Sequence, residues 1–346
     1  MTPQAVDLAA VAEWMSTQGL GEGPIQDVAT VTGGTQNVML RFTRAGRPYV
    51  LRRGPRHLRA RSNSVILRET KVLAALAGSD VPHPHLIATC ADPAVLGDAV
   101  FYLMEPIDGF NAGEGLPPLH AADPGVRFHM GLSMADALAK LGAVDHVAVG
   151  LADFGKPEGF LERQVPRWLG ELDSYNQYDG YPGPQIPGVR EVSSWLEQHR
   201  PAQWTPGIMH GDYHAANVMF SRTGHDVVAI VDWEMSTIGD PLLDLGWLLA
   251  TWRQSDGSAV FSHALGGQDG LASTDDLLQR YAANTSRDLT HLTWYVVLAC
   301  FKLGIVIEGT LARAYAGQAD RAVGDQLHAA TVYLFERALR LIDNEA

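Results

Sequence analysis

The chain has 346 residues, enough for about two domains of ordinary size, and 46% hydrophobic against 19% charged residues excludes collagen-like, low-complexity and wholly disordered chains. Its 26 Lys and Arg against 39 Asp and Glu give a formal charge of −13. That sign opposes nucleic-acid phosphates and anionic membrane surfaces, so neither is an expected partner.

The opening MTPQAVDLAAVAEW has no basic n-region and carries Asp7 and Glu13, so it does not read as a signal peptide. Leu8, Val11, Ala12 and Met15 recur at helical spacing and predict a helix over 5–18. IQDVATV, NVMLRFT and PYVLRR, separated by Gly-Gly-Thr-Gln and Arg-Ala-Gly-Arg, predict a small antiparallel meander. A helix over 62–77 follows, with Ser62 and Asn63 as caps, and then two strands, HLIATC and AVFYLME. The Gly- and Pro-rich stretch 106–118 predicts a junction between a segment 1–106 and a mostly helical segment 107–346. Helices are expected over 124–143, 158–171, 188–199, 241–253, 274–286, 289–308 and 318–343, with a long loop at 172–187. VMF and VVAIVDW, joined by Ser-Arg-Thr-Gly-His, read as a hairpin among these helices. LTWYVVLACFKLGIVIEGT contains Lys302 near its middle and reads as a buried helix rather than a membrane span. Cys90 and Cys300 supply neither a disulfide framework nor a CxxC motif, so the cytoplasm is the expected compartment.

The strongest chemical cluster is IMHGDYHAANVMF (208–220) with IVDWE (230–234). The hairpin can bring Asp212, Asn217 and Asp232 together. Asn217 and Asp232 offer hard oxygen ligands suited to Mg²⁺, and Asp212 is left free to orient and deprotonate a hydroxyl, as in kinases. Each residue alone also reads as a turn or core residue. A metallohydrolase is the rival, since His210, Asp212 and His214 alternate potential Zn²⁺ ligands.

Gly33, Gly34 and Thr35, with Gln36 and Asn37, lie between the first two strands, where backbone N–H groups can approach a phosphate; a plain hairpin turn is the bland alternative. Arg52 on the third strand and Glu69 on the next helix match the order in which kinases set a strand cation and a helix carboxylate around the nucleotide phosphates. Either alone also reads as an ordinary surface charge. Arg53 points to the opposite face by strand alternation. The run from Arg52 to Arg61 is a basic island, either a solvated loop or an anion-attracting lip.

These motifs resemble the aminoglycoside phosphotransferase and choline-kinase-like family, through GGTQN, YVLRR, RETKVLAAL, MHGDYHAANVMF and VAIVDWEMSTIGDPLLDLGWLL. The closest resemblance is to the branch related to the kinase-like N-terminal domain of certain acyl-CoA dehydrogenases. The resemblance implies an α+β, protein-kinase-like bilobal fold with a small antiparallel-sheet lobe and a larger helical lobe. It implies a hinge at Met104 and Glu105 whose backbone meets adenine. Asp212 then looks like the catalytic base, His210 a brace for its loop, Asn217 and Asp232 the Mg²⁺ ligands, and Arg52 with Glu69 the phosphate-positioning pair. Asp240 and Asp244 look structural. Arg52 departs from the family's commoner lysine, and Thr35-Gln36 from its usual loop residues. The implied activity is transfer of a γ-phosphoryl group from ATP, or GTP in its place, to a hydroxyl of a small molecule. A catalytically inactive kinase-like nucleotide-binding protein is the alternative. Acceptor contacts are implied from 160–187, with Arg163, Arg167, Trp168, Tyr175 and Tyr178.

Overall fold

The computed structural model describes residues 6–31, 37–254, 256–260 and 264–345. Helix α1 (Leu8–Thr17) starts where the Asp7 carboxylate accepts from the Ala9 and Ala10 amides. Strands β1 (Gln26–Thr30), β2 (Val38–Arg44) and β3 (Arg47–Arg53) follow, then helix α2 (Ser62–Leu76), β4 (Leu86–Cys90) and β5 (Phe101–Met104). The strands form one antiparallel sheet in the order β1-β2-β3-β5-β4.

Strand alternation sorts the side chains between two cores. Leu40, Phe42, Leu51, Phe101 and Leu103 pack with Val11 and Met15 of α1. Val50, Tyr102 and Met104 face the other way and join Ile66, Val72 and Leu73 of α2 in the main core. Each such fully buried side chain contributes roughly 1.5–3 kcal/mol. Arg52, two residues beyond Val50, is thereby delivered to the α2 face. The expected caps on α2 are not used: its cap residue is Arg61, without a side-chain bond. Asn63 instead staples α2 to the sheet, donating to Asp98 O (2.7 Å) and accepting from the Val100 amide (3.2 Å).

Beyond residue 109 the chain forms β6 (Phe110–Asn111), α3 (Pro118–Ala122), α4 (Pro124–Ala143), α5 (Gln164–Ser174), α6 (Val189–Gln198) and β7 (Gly207–Met209). It continues through β8 (Val218–Phe220), β9 (Val227–Ile230), β10 (Thr237–Gly239), α7 (Leu242–Thr251), α8 (Thr274–Ala283), α9 (Leu292–Tyr315) and α10 (Arg321–Glu345). Helix α4 has the expected ends, with Pro124 in its first turn and Asp123 as cap. Helix α5 begins later than expected, because the Arg163 guanidinium donates to the Lys156 and Glu158 carbonyls and holds the preceding residues as turns. The expected hairpin is β8 and β9. Two further pairings, β6 with β8 and β7 with β10, involve strands of two or three residues, too short to leave a periodic signal.

Helix α9 is long and apolar enough to cross a membrane, yet 83% of its most apolar window is buried inside the fold. It packs against α7 and α10. The whole is α+β, a small antiparallel sheet beside a mainly helical body, with a cavity of about 630 Å³ between them.

Candidate active site

The cavity is walled on one side by Met39, Val50, Arg52, Tyr102 and Met104 and on the other by Asn217, Met219, Val231 and Asp232. One guanidinium nitrogen joins the two walls. Arg52 Nη2 donates to Glu69 Oε1 and to Asp232 Oδ1, both at 2.7 Å. Tyr102 OH donates to the other Glu69 oxygen at 3.1 Å. Glu69 is 1% exposed, so the reading as a solvated helix carboxylate is replaced by a buried, fully engaged one. Burial works against both charges: it pushes the Glu69 carboxyl up, whereas at Arg52 the surrounding Glu69, Tyr102 and Asp232 outweigh it and raise the guanidinium further.

Asp232 follows β9 in a left-handed conformation, φ 67° and ψ 62°. Such a backbone costs a non-glycine residue roughly 1–3 kcal/mol. It turns the chain sharply after Val231, and the Trp233 indole N–H locks the turn by donating to Ile230 O at 2.9 Å.

The other carboxylate lies on the loop between β7 and β8. Gly211 adopts φ +87°, and a Cβ there would stand 2.5 Å from Met235 O, so only glycine fits. Asp244, on α7 and 1% exposed, accepts from the His210 amide (2.6 Å) and the Gly211 amide (2.8 Å). Lys302 Nζ donates to Gly211 O at 3.1 Å. The His210 ring is fully buried; its Nε2 donates to Val231 O (2.9 Å) and its Nδ1 accepts from the Asp212 amide (3.3 Å), which ties the loop to the end of β9.

Asp212 emerges from this frame. The Asn217 side-chain N–H₂ donates to Asp212 O (2.9 Å) and Asp212 Oδ2 (3.0 Å), and His214 Nε2 lies 3.4 Å from Asp212 Oδ1. Burial alone raises the Asp212 carboxyl, but His214, His210 and Lys302 outweigh it and hold it at about 2. Asn217 O accepts from the Val231 amide at 2.9 Å, so Asn217 and Asp232 come side by side.

The donor set suits a hard cation. The Asn217 amide nitrogen is spent on Asp212, which leaves its side-chain carbonyl, and Asp232 keeps one carboxylate oxygen beyond the one paired with Arg52. Glu234 joins them: one oxygen each of Glu69, Asp232 and Glu234 lie within 4.8 Å of one another, the one group of three potential metal ligands among the described residues. His210 and His214 form no such group with Asp212, which removes the geometric basis of the Zn²⁺ alternative.

Met104 ends β5 in the cavity wall and Glu105 lines it too. The Glu105 N–H, however, donates to His85 O at 2.9 Å, and its side chain pairs with Arg47 at 3.1 Å. At this edge the Glu105 amide is therefore spent, and the next backbone donor is that of Ile107. Gly33, Gly34 and Thr35 lie outside the described residues. Of the five residues expected around an acceptor, Arg163 folds back on its own loop and Tyr175 is buried, donating to Ile305 O; Arg167 and Trp168 line a second, smaller cavity. Glu234 and Lys302 were not singled out by the sequence as site residues. The signal for Glu234 was its place two residues past Asp232, and for Lys302 a lone cation in an apolar run.

The fold and the arrangement of the cleft are those of the protein-kinase-like class of phosphotransferases. A family model described as the phosphotransferase enzyme family matches residues 27–281, and the chain belongs to that family. It is 30% identical over 288 residues to acyl-CoA dehydrogenase family member 10 of Mus musculus, covering 82% of this chain and 26% of that protein. It is 30% identical over 314 residues to the probable acyl-CoA dehydrogenase IBR3 of Arabidopsis thaliana, covering 86% and 37%. The chain thus spans about a quarter to two-fifths of the length of these relatives. Among solved structures, a Ralstonia eutropha protein provisionally named an aminoglycoside phosphotransferase superposes with a TM-score of 0.78 at 28% identity, covering 97% of this chain and 99% of the other. The GDP complex of aminoglycoside 2'-phosphotransferase-IIIa shares the fold, with a TM-score of 0.61 at 15% identity and coverage of 98% and 99%.

Proposed function

We propose that the chain transfers the γ-phosphoryl group of ATP, or of GTP, to a hydroxyl of a small molecule with the help of Mg²⁺. The observation that carries this reading is the pair of linked carboxylate sites along one cleft: Asp212 bonded to Asn217, and Asp232 bonded through Arg52 to Glu69. The GDP complexes of similar folds support a nucleotide as the donor.

Asn217 and Asp232, with Glu234 beside them, would hold the metal, which when bound supplies charge neutralisation to the phosphates. Arg52 presents its guanidinium to the same phosphates, kept in place by Glu69. Asp212 accepts the hydrogen bond of the acceptor hydroxyl and aims its oxygen at the γ-phosphorus. The new O–P bond forms as the bond to the β-phosphate bridging oxygen breaks, the nucleoside diphosphate leaves, and the hydroxyl proton passes to Asp212. A carboxylate held at about 2 is a weak base, so this transfer comes late and orientation is the larger contribution.

The test is thermal unfolding with ATP or GTP, with and without Mg²⁺, followed by an acceptor screen. A metal-dependent rise in Tm is expected for the intact chain. Asp212→Ala is expected to keep that rise and lose about 10²–10⁴-fold in turnover. A metal-dependent rise with no turnover on any acceptor would favour an inactive nucleotide-binding protein. No rise with either nucleotide would overturn the nucleotide site itself.

A further inference from the structure

A second cavity, of about 70 Å³, lies behind the Asp212 loop, with Gly211 in its wall. On this measure a water needs about 10–15 Å³. The space therefore admits a group of a few heavy atoms and not a sugar ring.

Its polar lining combines two cations, Arg167 and Lys302, and two tryptophans with Gln164, Thr237 and Asp244, and the Gln164 side-chain N–H is spent on Phe160 O. Lys302 Nζ spends one of its three N–H bonds on Gly211 O and stands 4.3 Å from the centre of the Trp247 ring and 5.5 Å from that of Trp168. The indole N–H groups of those two tryptophans are buried and have no hydrogen-bond partner, although each residue is only 6% exposed. Unpartnered buried donors of this kind cost about 1–3 kcal/mol apiece. At the rim, exposed Arg167 lies over Trp168 at 4.9 Å, and its guanidinium makes no hydrogen bond or ion pair among the described residues. Asp244 is the one carboxylate in the wall, and both its oxygens are already bound to the His210 and Gly211 amides. Two cations and two residues whose indole N–H groups are idle thus line a space with no free anion. A polycationic acceptor has nothing to bind there.

Resting on the phosphotransfer reading above, we propose that this cavity is an anion subsite for the acceptor. A carboxylate on the hydroxylated substrate binds against Lys302, the Trp168 and Trp247 indole N–H groups and Arg167, beside the loop that carries Asp212. A carboxylate has the matching chemistry: it accepts only, it fits the volume, and its charge answers both cations. Burial lowers the Lys302 ammonium and Arg167 lowers it further, while Asp212 and Asp244 oppose them; a bound carboxylate would restore it.

The test is calorimetric titration, without nucleotide, of the intact chain with straight-chain ω-hydroxycarboxylates of three to six carbons. Their methyl esters and inorganic phosphate serve as comparison probes. At least one acid is expected to bind about tenfold or more tightly than its ester. Lys302→Met and, independently, the surface variant Arg167→Gln are expected to remove most of that preference without weakening the ester. Equal binding of acid and ester, absence of acid binding, or an acid preference unchanged in both variants overturns the subsite. Phosphate binding tighter than every acid overturns the carboxylate assignment. Because binding is read without nucleotide, acid binding with no phosphoryl transfer would overturn the activity and leave the subsite standing.

Discussion

Arg52 Nη2 stands 2.7 Å from Asp232 Oδ1 while holding Glu69 at the same distance, so a single nitrogen ties the sheet to the helical body across the cleft. Nη2 is spent on the two carboxylates, and the guanidinium keeps further N–H donors on Nε and Nη1, in a fixed plane, that the three-donor ammonium of a lysine lacks. Arg52→Ala would strand Glu69, which is 1% exposed, beside a second carboxylate. Removing one partner of a buried pair costs about 3–5 kcal/mol. Because the Asp232 side chain is 40% exposed, we expect a loss of about 3 kcal/mol, read as a lower midpoint in urea. Arg52→Lys is expected to fold and to raise the KM for nucleotide with a smaller change in kcat. An unchanged KM would remove Arg52 from phosphate binding.

Gly211 is the narrowest point of the catalytic loop. Its φ of +87° and the 2.5 Å approach that a Cβ would make to Met235 O act together. Gly211→Ala combines a left-handed backbone cost of about 1–3 kcal/mol with a clash against main chain that no rotamer relieves. The expected result is a loss of about 3 kcal/mol or more, or a loop displaced enough to abolish turnover. Near-normal stability and kcat together would show that the loop is not held as described.

Asp244 acts on Asp212 through two backbone amides, without touching the cleft. Asp244→Ala leaves the His210 and Gly211 N–H groups buried and unpaired, at about 1–3 kcal/mol each. Asp244→Asn keeps one acceptor oxygen and should recover part of the loss. The expected signature is a fall in kcat with nucleotide affinity preserved, since Asn217 and Asp232 do not depend on α7 for their bonds. Equal falls in both would place the effect in global unfolding, which circular dichroism would register.

The convergence of Asp212, Asn217 and Asp232 was legible because a hairpin of readable strands joins them, and the order Arg52 then Glu69 was legible because strand and helix both carry clear periodicities. Which group bonds which was not. Arg52 reaches Asp232 across 180 residues of sequence, and no local pattern records a contact of that range. The spending of the Glu105 amide on His85 depends on strand β4 starting beside the end of β5, a register matter invisible in composition. Glu234 escaped, and Asp244 reads as structural without the partners it holds. The first looks like any turn carboxylate until its distance to Glu69 is known, and the second like a dipole-favoured residue at a helix start until its side chain is seen facing backward to the loop.

The Asp212 carboxyl gives a signed dependence on pH. In the folded chain it is held at about 2 against an ordinary 3.8: burial pushes it up, and His214, His210 and Lys302 outweigh burial. A folded value below the unfolded one means that the unfolded chain binds the proton first on acidification. The stabilisation is therefore complete above about pH 4 and is lost as pH falls through about 2. It is modest, because the side chain is 36% exposed and solvent screens it. Of the groups that lower the Asp212 carboxyl, His214 acts most strongly, with its Nε2 3.4 Å from Oδ1. His214→Gln should let the Asp212 carboxyl rise toward its ordinary value, so the variant's Tm should fall less steeply than that of the parent chain between about pH 5 and pH 2. Across the neutral range Asp212 stays ionised in both proteins, and no acid limb of kcat there should belong to it. Parallel calorimetric scans check the first statement and a pH–rate profile the second. A variant whose Tm falls as steeply as the parent's would show that His214 does not set the charge state of Asp212.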